Sequence, residues 1–110
     1  MGASFEITRN DKGEYYFKLT NADGKTLLRS EGYTAKASAK NGVESVRKNA
    51  GVAGKLEVKE AKDGRPYLNL RAANGQVVAT SPMFADQAAC EAAAAAITTG
   101  AAGAPLTDNA

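Results

Sequence analysis

An α+β domain built from two β-β-β-α repeats is what this sequence predicts, on three observations. First, the chain aligns with itself: Phe5 placed over Leu56, a shift of 51 residues, brings Gly13 onto Gly64, Tyr16 onto Tyr67, Leu19 onto Leu70, Gly24 onto Gly75 and Ser30 onto Ser81. Second, each half opens with short strand-like runs separated by glycine turns. Third, each half then shifts to helical spacing. A forty-odd-residue repeat is too short to bury a sufficient core alone, and one cysteine leaves no disulfide to staple it. The two halves therefore complete one core about an approximate internal two-fold, as a homodimer of single repeats would. Residues 1–110 read as a single domain, with repeat 1 over 5–50, repeat 2 over 56–100 and a flexible tail over 101–110.

In the first strand Phe5 and Ile7 alternate with Glu6 and Thr8, the period of a half-buried strand. Gly13 and its mate Gly64 supply the positive φ of a hairpin loop. The second strand, Glu14 to Thr20, sets Tyr15, Phe17 and Leu19 on one face and Glu14, Tyr16, Lys18 and Thr20 on the other. Its counterpart turns Pro66, Leu68 and Leu70 inward and Arg65, Tyr67, Asn69 and Arg71 outward. Pro66 has no N–H and belongs at a strand start or a solvent-facing edge. Asp23-Gly24 and Asn74-Gly75 are two-residue hairpin signals leading into strands over Lys25–Ser30 and Gln76–Ser81. From Lys36 to Asn49, Ala39, Val43 and Val46 recur at helical spacing; Thr34 or Ser38 is the candidate N-cap. Gly42 inside that helix points to close packing on the sheet. The second helix begins at an Asp86 N-cap, carries Cys90, Ala94 and Ile97 on its stripe and ends with Gly100 at C′. Leu106 is the one tail residue able to anchor a further short strand.

Composition narrows the function classes. The formal net charge is +2, with the first 50 residues more basic than the rest, well short of a dedicated nucleic-acid binder. No run approaches the apolar length of a membrane span. The Met-Gly start lacks the Ser or Thr of a myristoylation motif, since Glu6 stands there. A lone cysteine suits a reducing compartment, so a cytoplasmic protein is expected.

The runs Asn21-Ala22-Asp23-Gly24, Ser30-Glu31-Gly32-Tyr33-Thr34-Ala35-Lys36 and Asn41 through Asn49 resemble the YegP-like family of small bacterial proteins. Tyr67, Leu70, Ala72-Ala73-Asn74-Gly75 and Ser81 carry the match in the second half. The resemblance implies one antiparallel sheet shared by both repeats, both helices on one face and a strand exchanged between the halves. It also implies that Leu56–Glu60 closes the first repeat while opening the second. It brings no activity with it. Pro82-Met83-Phe84-Ala85-Asp86 departs from the family pattern, as does Ala92-Ala93 against Asn41-Gly42.

For chemistry, the absence of histidine removes the commonest general base and every Ser-His-Asp or Cys-His arrangement. One cysteine without histidine excludes the usual zinc sets. Cys90, on the buried stripe, reads as a core thiol. No phosphate-cradling glycine loop is present, and no cofactor is indicated. The chain therefore reads as a non-enzymatic accessory or protein-interaction module, monomeric with an internal pseudo-dimer. The alternative is weak binding of single-stranded nucleic acid. Tyr16 and Tyr67 with Lys18, Lys59 and Arg71 form a candidate binding surface on the outward sheet face, where rings stack bases and cations meet phosphates. Tyrosine is equally an ordinary strand residue. A candidate interaction loop comprises Ser30, Tyr33 and Lys36; the competing reading has the serine turning the chain and Tyr33 plugging the helix–sheet joint. An exposed strand edge is a third surface.

Overall fold

The computed structural model describes residues 3–52, 54–72 and 74–110. Ala73, the mate of Ala22, and the Met-Gly start lie outside them. Among the described residues, seven strands and two helices follow one another as β1 (Ser4–Arg9), β2 (Tyr15–Thr20), β3 (Thr26–Arg29), α1 (Lys36–Asn49), β4 (Leu56–Glu60), β5 (Pro66–Arg71), β6 (Val77–Thr80), α2 (Gln87–Gly100) and β7 (Leu106–Asp108). They form one sheet in the order β4-β5-β6-β3-β2-β1-β7. The repeats meet at its centre, where β3 and β6 pair through Arg29 and Thr80. Those two residues are repeat mates, so the internal two-fold passes between them.

Alternation places the core on one face. The cross-strand rows Phe5–Leu19–Leu28 and Leu56–Leu70–Ala79 point the same way. Both helices cover that face through Ala39, Val43 and Val46 of α1 and Cys90, Ala93 and Ile97 of α2. Each fully buried large apolar side chain contributes about 1.5–3 kcal/mol. A bulge in β3 lets consecutive Leu27 and Leu28 both face inward. α1 lies over β1 and β2 and reaches across the seam to β5 and β6, tying the repeats together. At Gly42 it packs against Phe17 and Tyr33 with no room for a Cβ.

Several expectations are corrected. The sheet is mixed rather than antiparallel, because β7 runs parallel to β1 with Phe5 opposite Leu106 and Ile7 opposite Asp108. The segment 101–110 is therefore no flexible tail. Ala101 and Ala104 are buried, Phe5 N donates to Pro105 O at 2.8 Å, and Asn109 N donates to Ile7 O at 2.9 Å. The exchanged strand is β7, which leaves repeat 2 to join repeat 1; among the described residues β4 pairs with β5 alone and closes nothing in the first repeat. α1 is entered through extended Ala35 without a side-chain cap, so neither Thr34 nor Ser38 caps it, whereas Asp86 does accept from Ala89 N at 2.9 Å. Gly100 ends the second helix inside it, with αR Ala101 following. The Asp23-Gly24 hairpin is longer than two residues: only Gly24 has positive φ, and Asn21 Oδ1 accepts from Asp23 N and Lys25 N. A type I′ turn would need positive φ at Asp23 as well.

Candidate functional site

The face away from the helices is open, and one register row crosses it from edge to edge. Thr107, Glu6, Lys18, Arg29, Thr80, Asn69 and Glu57 are successive cross-strand partners. About the two-fold the row reads Glu-Lys-Arg on one side and Glu-Asn-Thr on the other. Repeat 2 has thus replaced both cations with a neutral pair, in which Thr80 Oγ1 donates to Asn69 Oδ1 at 2.9 Å.

All three cations of the predicted surface, Lys18, Lys59 and Arg71, are already engaged. Lys18 Nζ lies 3.4 Å from Glu6, Lys59 lies 3.7 Å from Glu57, and Arg71 Nε donates to Glu57 at 2.7 Å. The Glu57 carboxyl is held below its ordinary pKa, chiefly by the Arg71 hydrogen bond. That of Glu6 is lowered chiefly by a hydrogen bond from Asn109, then by Lys18. The tyrosines share the face but not a site. Tyr16 on β2 and Tyr67 on β5 are separated by three strand spacings and lie on opposite sides of the central row. At about 4.8 Å per strand and 3.4 Å per residue they are roughly 20 Å apart. The Tyr16 hydroxyl is also taken up locally, accepting from Asn10 Nδ2 at 3.2 Å and lying 3.4 Å from Glu14 Oε1.

The 30–36 loop is built into the fold. Ser30 Oγ accepts from Phe17 N at 2.9 Å and donates to Glu31 O at 2.8 Å; Ser81 repeats both bonds with Leu68 N and Pro82 O at 2.7 and 2.8 Å. Each serine closes a strand end by satisfying a buried amide. Ser30→Ala and Ser81→Ala are each expected to cost about 1–3 kcal/mol, the penalty for an unsatisfied buried donor. Urea denaturation of the two single variants would check this, each midpoint falling at an unchanged m value. Tyr33 exchanges backbone hydrogen bonds with Tyr15 at 2.8 Å and stacks on Phe17 at 6.3 Å between ring centroids. Burial, then Glu31, pushes its hydroxyl pKa up. Lys36 is 3.1 Å from Asp108, tying α1 to β7. Cys90 lies in the core, where burial raises its thiol pKa.

What sequence reasoning missed is Arg29. It is exposed at the centre of the open face and makes no salt bridge among the described residues. A hollow of about 510 Å³ lies on one side, lined by Thr8, Tyr16, Lys18 and Ser30 among others. A smaller one of about 210 Å³ lies across the seam, along Val77–Ser81. The β3 bulge breaks the period-two pattern, so alternation could not assign Arg29 a face; its identity as the mate of Thr80 was the signal present. The departing Pro82–Asp86 segment has a separate consequence. Met83 and Phe84, with Leu27, Ala92 and Ala96, line an apolar groove beside α2. Its symmetry counterpart beside α1 is polar, lined by Asn41, Glu44, Ser45 and Lys48.

Comparison with known proteins adds kinship. A family model described as a domain of unknown function, DUF1508, matches twice, over residues 10–57 and 61–108. The two matches are offset by the same 51 residues as the internal repeat. A UPF0339 protein of Pseudomonas aeruginosa is 46% identical over 92 residues, covering 84% of each chain. YegP of Escherichia coli K12 is 40% identical over 85 residues, covering 77% of each. Among solved structures, the solution structure of a UPF0339 protein from Shewanella oneidensis superposes with a TM-score of 0.92 at 31% identity, covering 98% of this chain and 92% of that one. That of E. coli YegP, a protein of unknown function, gives 0.91 at 35% identity, with 99% and 94% covered. With both repeats matched and the fold shared throughout, this chain belongs to the DUF1508 family, with the UPF0339 proteins and YegP among its relatives.

Proposed function

We propose that this protein is a non-enzymatic, cytoplasmic interaction module, monomeric with an internal pseudo-dimer, that receives an acidic segment of a protein partner on its open sheet face. The observation that carries this reading is Arg29: a cation at the two-fold without an ion-pair partner among the described residues, flanked by hollows on both sides, with Lys18 beside it in the same row. Chemistry is not supported, since no histidine exists and the single thiol is buried. Among the described residues no helix is long and apolar enough to cross a membrane. Protein is favoured over single-stranded nucleic acid because Tyr16 and Tyr67, on strands three apart, form no common stacking platform.

The test is an amide-resolved NMR titration with a polyglutamate 12-mer and, separately, a mixed single-stranded RNA 8-mer pool. Polyglutamate should shift Lys18, Arg29, Thr80 and Asn69, weaken with salt and lose its effect in Arg29→Ala at unchanged melting temperature. A silent spectrum overturns the reading. RNA shifts gathered on Tyr16 and Tyr67 would install the nucleic-acid alternative instead. Turnover of a substrate abolished by one surface substitution would overturn the non-enzymatic part.

A further inference from the structure

The internal two-fold exposes an asymmetry at the two ends of the sheet. The outer edge of β1 is covered by parallel β7, but the outer edge of its mate β4 is bare among the described residues, because the chain after α1 runs directly into β4. The consequence shows in repeat mates: Ile7 is 0% exposed and Val58 is 53% exposed. The mates of the groups that bond β7, Leu56 N–H and Val58 C=O, face outward on that bare edge. An apolar residue on an open edge invites strand addition.

The charges around the two edges are inverted. At the occupied edge Asp108 of β7 lies 3.1 Å from Lys36 and 3.9 Å from Lys40, while Arg47 Nη2 donates to Ala104 O at 2.6 Å. Arg9 continues the helix-side row of β1. Shifted by one repeat, Lys36, Lys40, Arg47 and Arg9 become Gln87, Glu91, Thr98 and Glu60. Four cations are replaced by two neutral residues and two carboxylates. The β7 strand of a second copy, with Asp108 at the critical position, is thereby disfavoured on β4.

We infer that the β4 edge is a second interaction surface, which takes an extended segment of a partner protein, parallel to β4, with an apolar residue opposite Leu56 and a basic residue opposite Val58. Main-chain hydrogen bonds hold the segment, the apolar residue and the segment's backbone cover the exposed flank of the core, and the basic residue meets the Glu60 and Glu91 carboxylates. This surface is independent of Arg29 and the open face.

The test uses two synthetic peptides titrated into the labelled full chain: residues 103–110 of this sequence, and the same peptide carrying Asp108→Lys. The lysine peptide should shift the amides of Leu56–Glu60 and bind about threefold to tenfold more tightly than the aspartate peptide, the scale of one or two half-exposed charge pairs. Glu91→Lys, at an exposed position, should reverse that preference. Three results would overturn the inference: no β4 shifts at millimolar peptide, equal binding of both peptides, or shifts confined to Ser4–Arg9 from displacement of β7. Concentration-dependent β4 shifts without peptide would make a second copy the occupant and overturn it too.

Discussion

Gly42→Ala is expected to destabilise the protein by up to about 2 kcal/mol, even though alanine is the better helix former by about 1 kcal/mol. A Cβ at position 42 would lie 2.6 Å from Phe17 Cε2 and 2.7 Å from the Tyr33 hydroxyl oxygen. Neither ring can yield cheaply. Phe17 is fixed edge-on to Phe5 and stacked on Tyr33, each at 6.3 Å between centroids, and Tyr33 is bolted to Tyr15 by its backbone. Overpacking of this kind costs about 1–3 kcal/mol and outweighs the helical gain. A bulkier change, Gly42→Leu, is expected to cost about 3 kcal/mol or more and to leave the protein near the limit of stability. The mate position in α2 already holds Ala93, because Leu68 and Phe84 replace the Phe17–Tyr33 stack there. Urea denaturation checks the prediction: the midpoint should fall at an unchanged m value. A Gly42→Ala protein as stable as the parent would show that α1 does not approach the rings this closely.

That glycine illustrates how much of the fold the sequence disclosed. A glycine in a helix interior signalled close approach, and the internal repeat with period-two alternation placed Phe5, Ile7, Phe17, Leu19, Leu68 and Leu70 inward, where they are buried. Local patterns failed where long-range pairing decides the outcome. Nothing in Leu106–Asp108 states that it will pair with residues a hundred positions earlier; the tail reads as loose until the β1 edge and the Lys36 and Lys40 side chains are in place. The same holds for Leu56–Glu60, whose strand pattern is plain but whose edge position follows from the tandem connection.

The candidate site was less legible for a related reason. Alternation correctly set Tyr16, Lys18, Tyr67 and Arg71 on one face, but a face is not a site. Strand order separates the two tyrosines, while Glu6 and Glu57, also outward, pair with the cations that alternation alone leaves free. Ser30 and Ser81 stood out as repeat-matched polar residues; their matching reflects a shared strand-end hydrogen bond. Arg29 attracted no notice because its meaning comes from the seam, which only the paired repeats create.

Removal of residues 105–110 is expected to cost about 4–5 kcal/mol, the largest single effect short of cutting into the core. Half-buried Leu106 contributes about 1 kcal/mol of apolar burial, and exposing Ile7 forfeits about 1–2 kcal/mol more. The hydrogen bonds from Phe5 N to Pro105 O and from Asn109 N to Ile7 O contribute about 1 kcal/mol each. The ion pairs of Asp108 with Lys36 and Lys40 are surface interactions and add little, so Asp108→Asn alone should move stability by less than about 1 kcal/mol. Against a typical total of about 5–15 kcal/mol the truncation leaves a marginal protein, and the melting temperature should drop by roughly 10–25 °C. It also gives the sheet a second bare edge, now flanked by Phe5 and Ile7, so self-association should rise with concentration in sedimentation velocity. Calorimetry on the truncated and Asp108→Asn chains separates backbone and apolar docking from charge. If the truncated chain lost less than about 1 kcal/mol, β7 would be a weakly held strand, and a segment pairing with the β4 edge in the same manner would be held more weakly still.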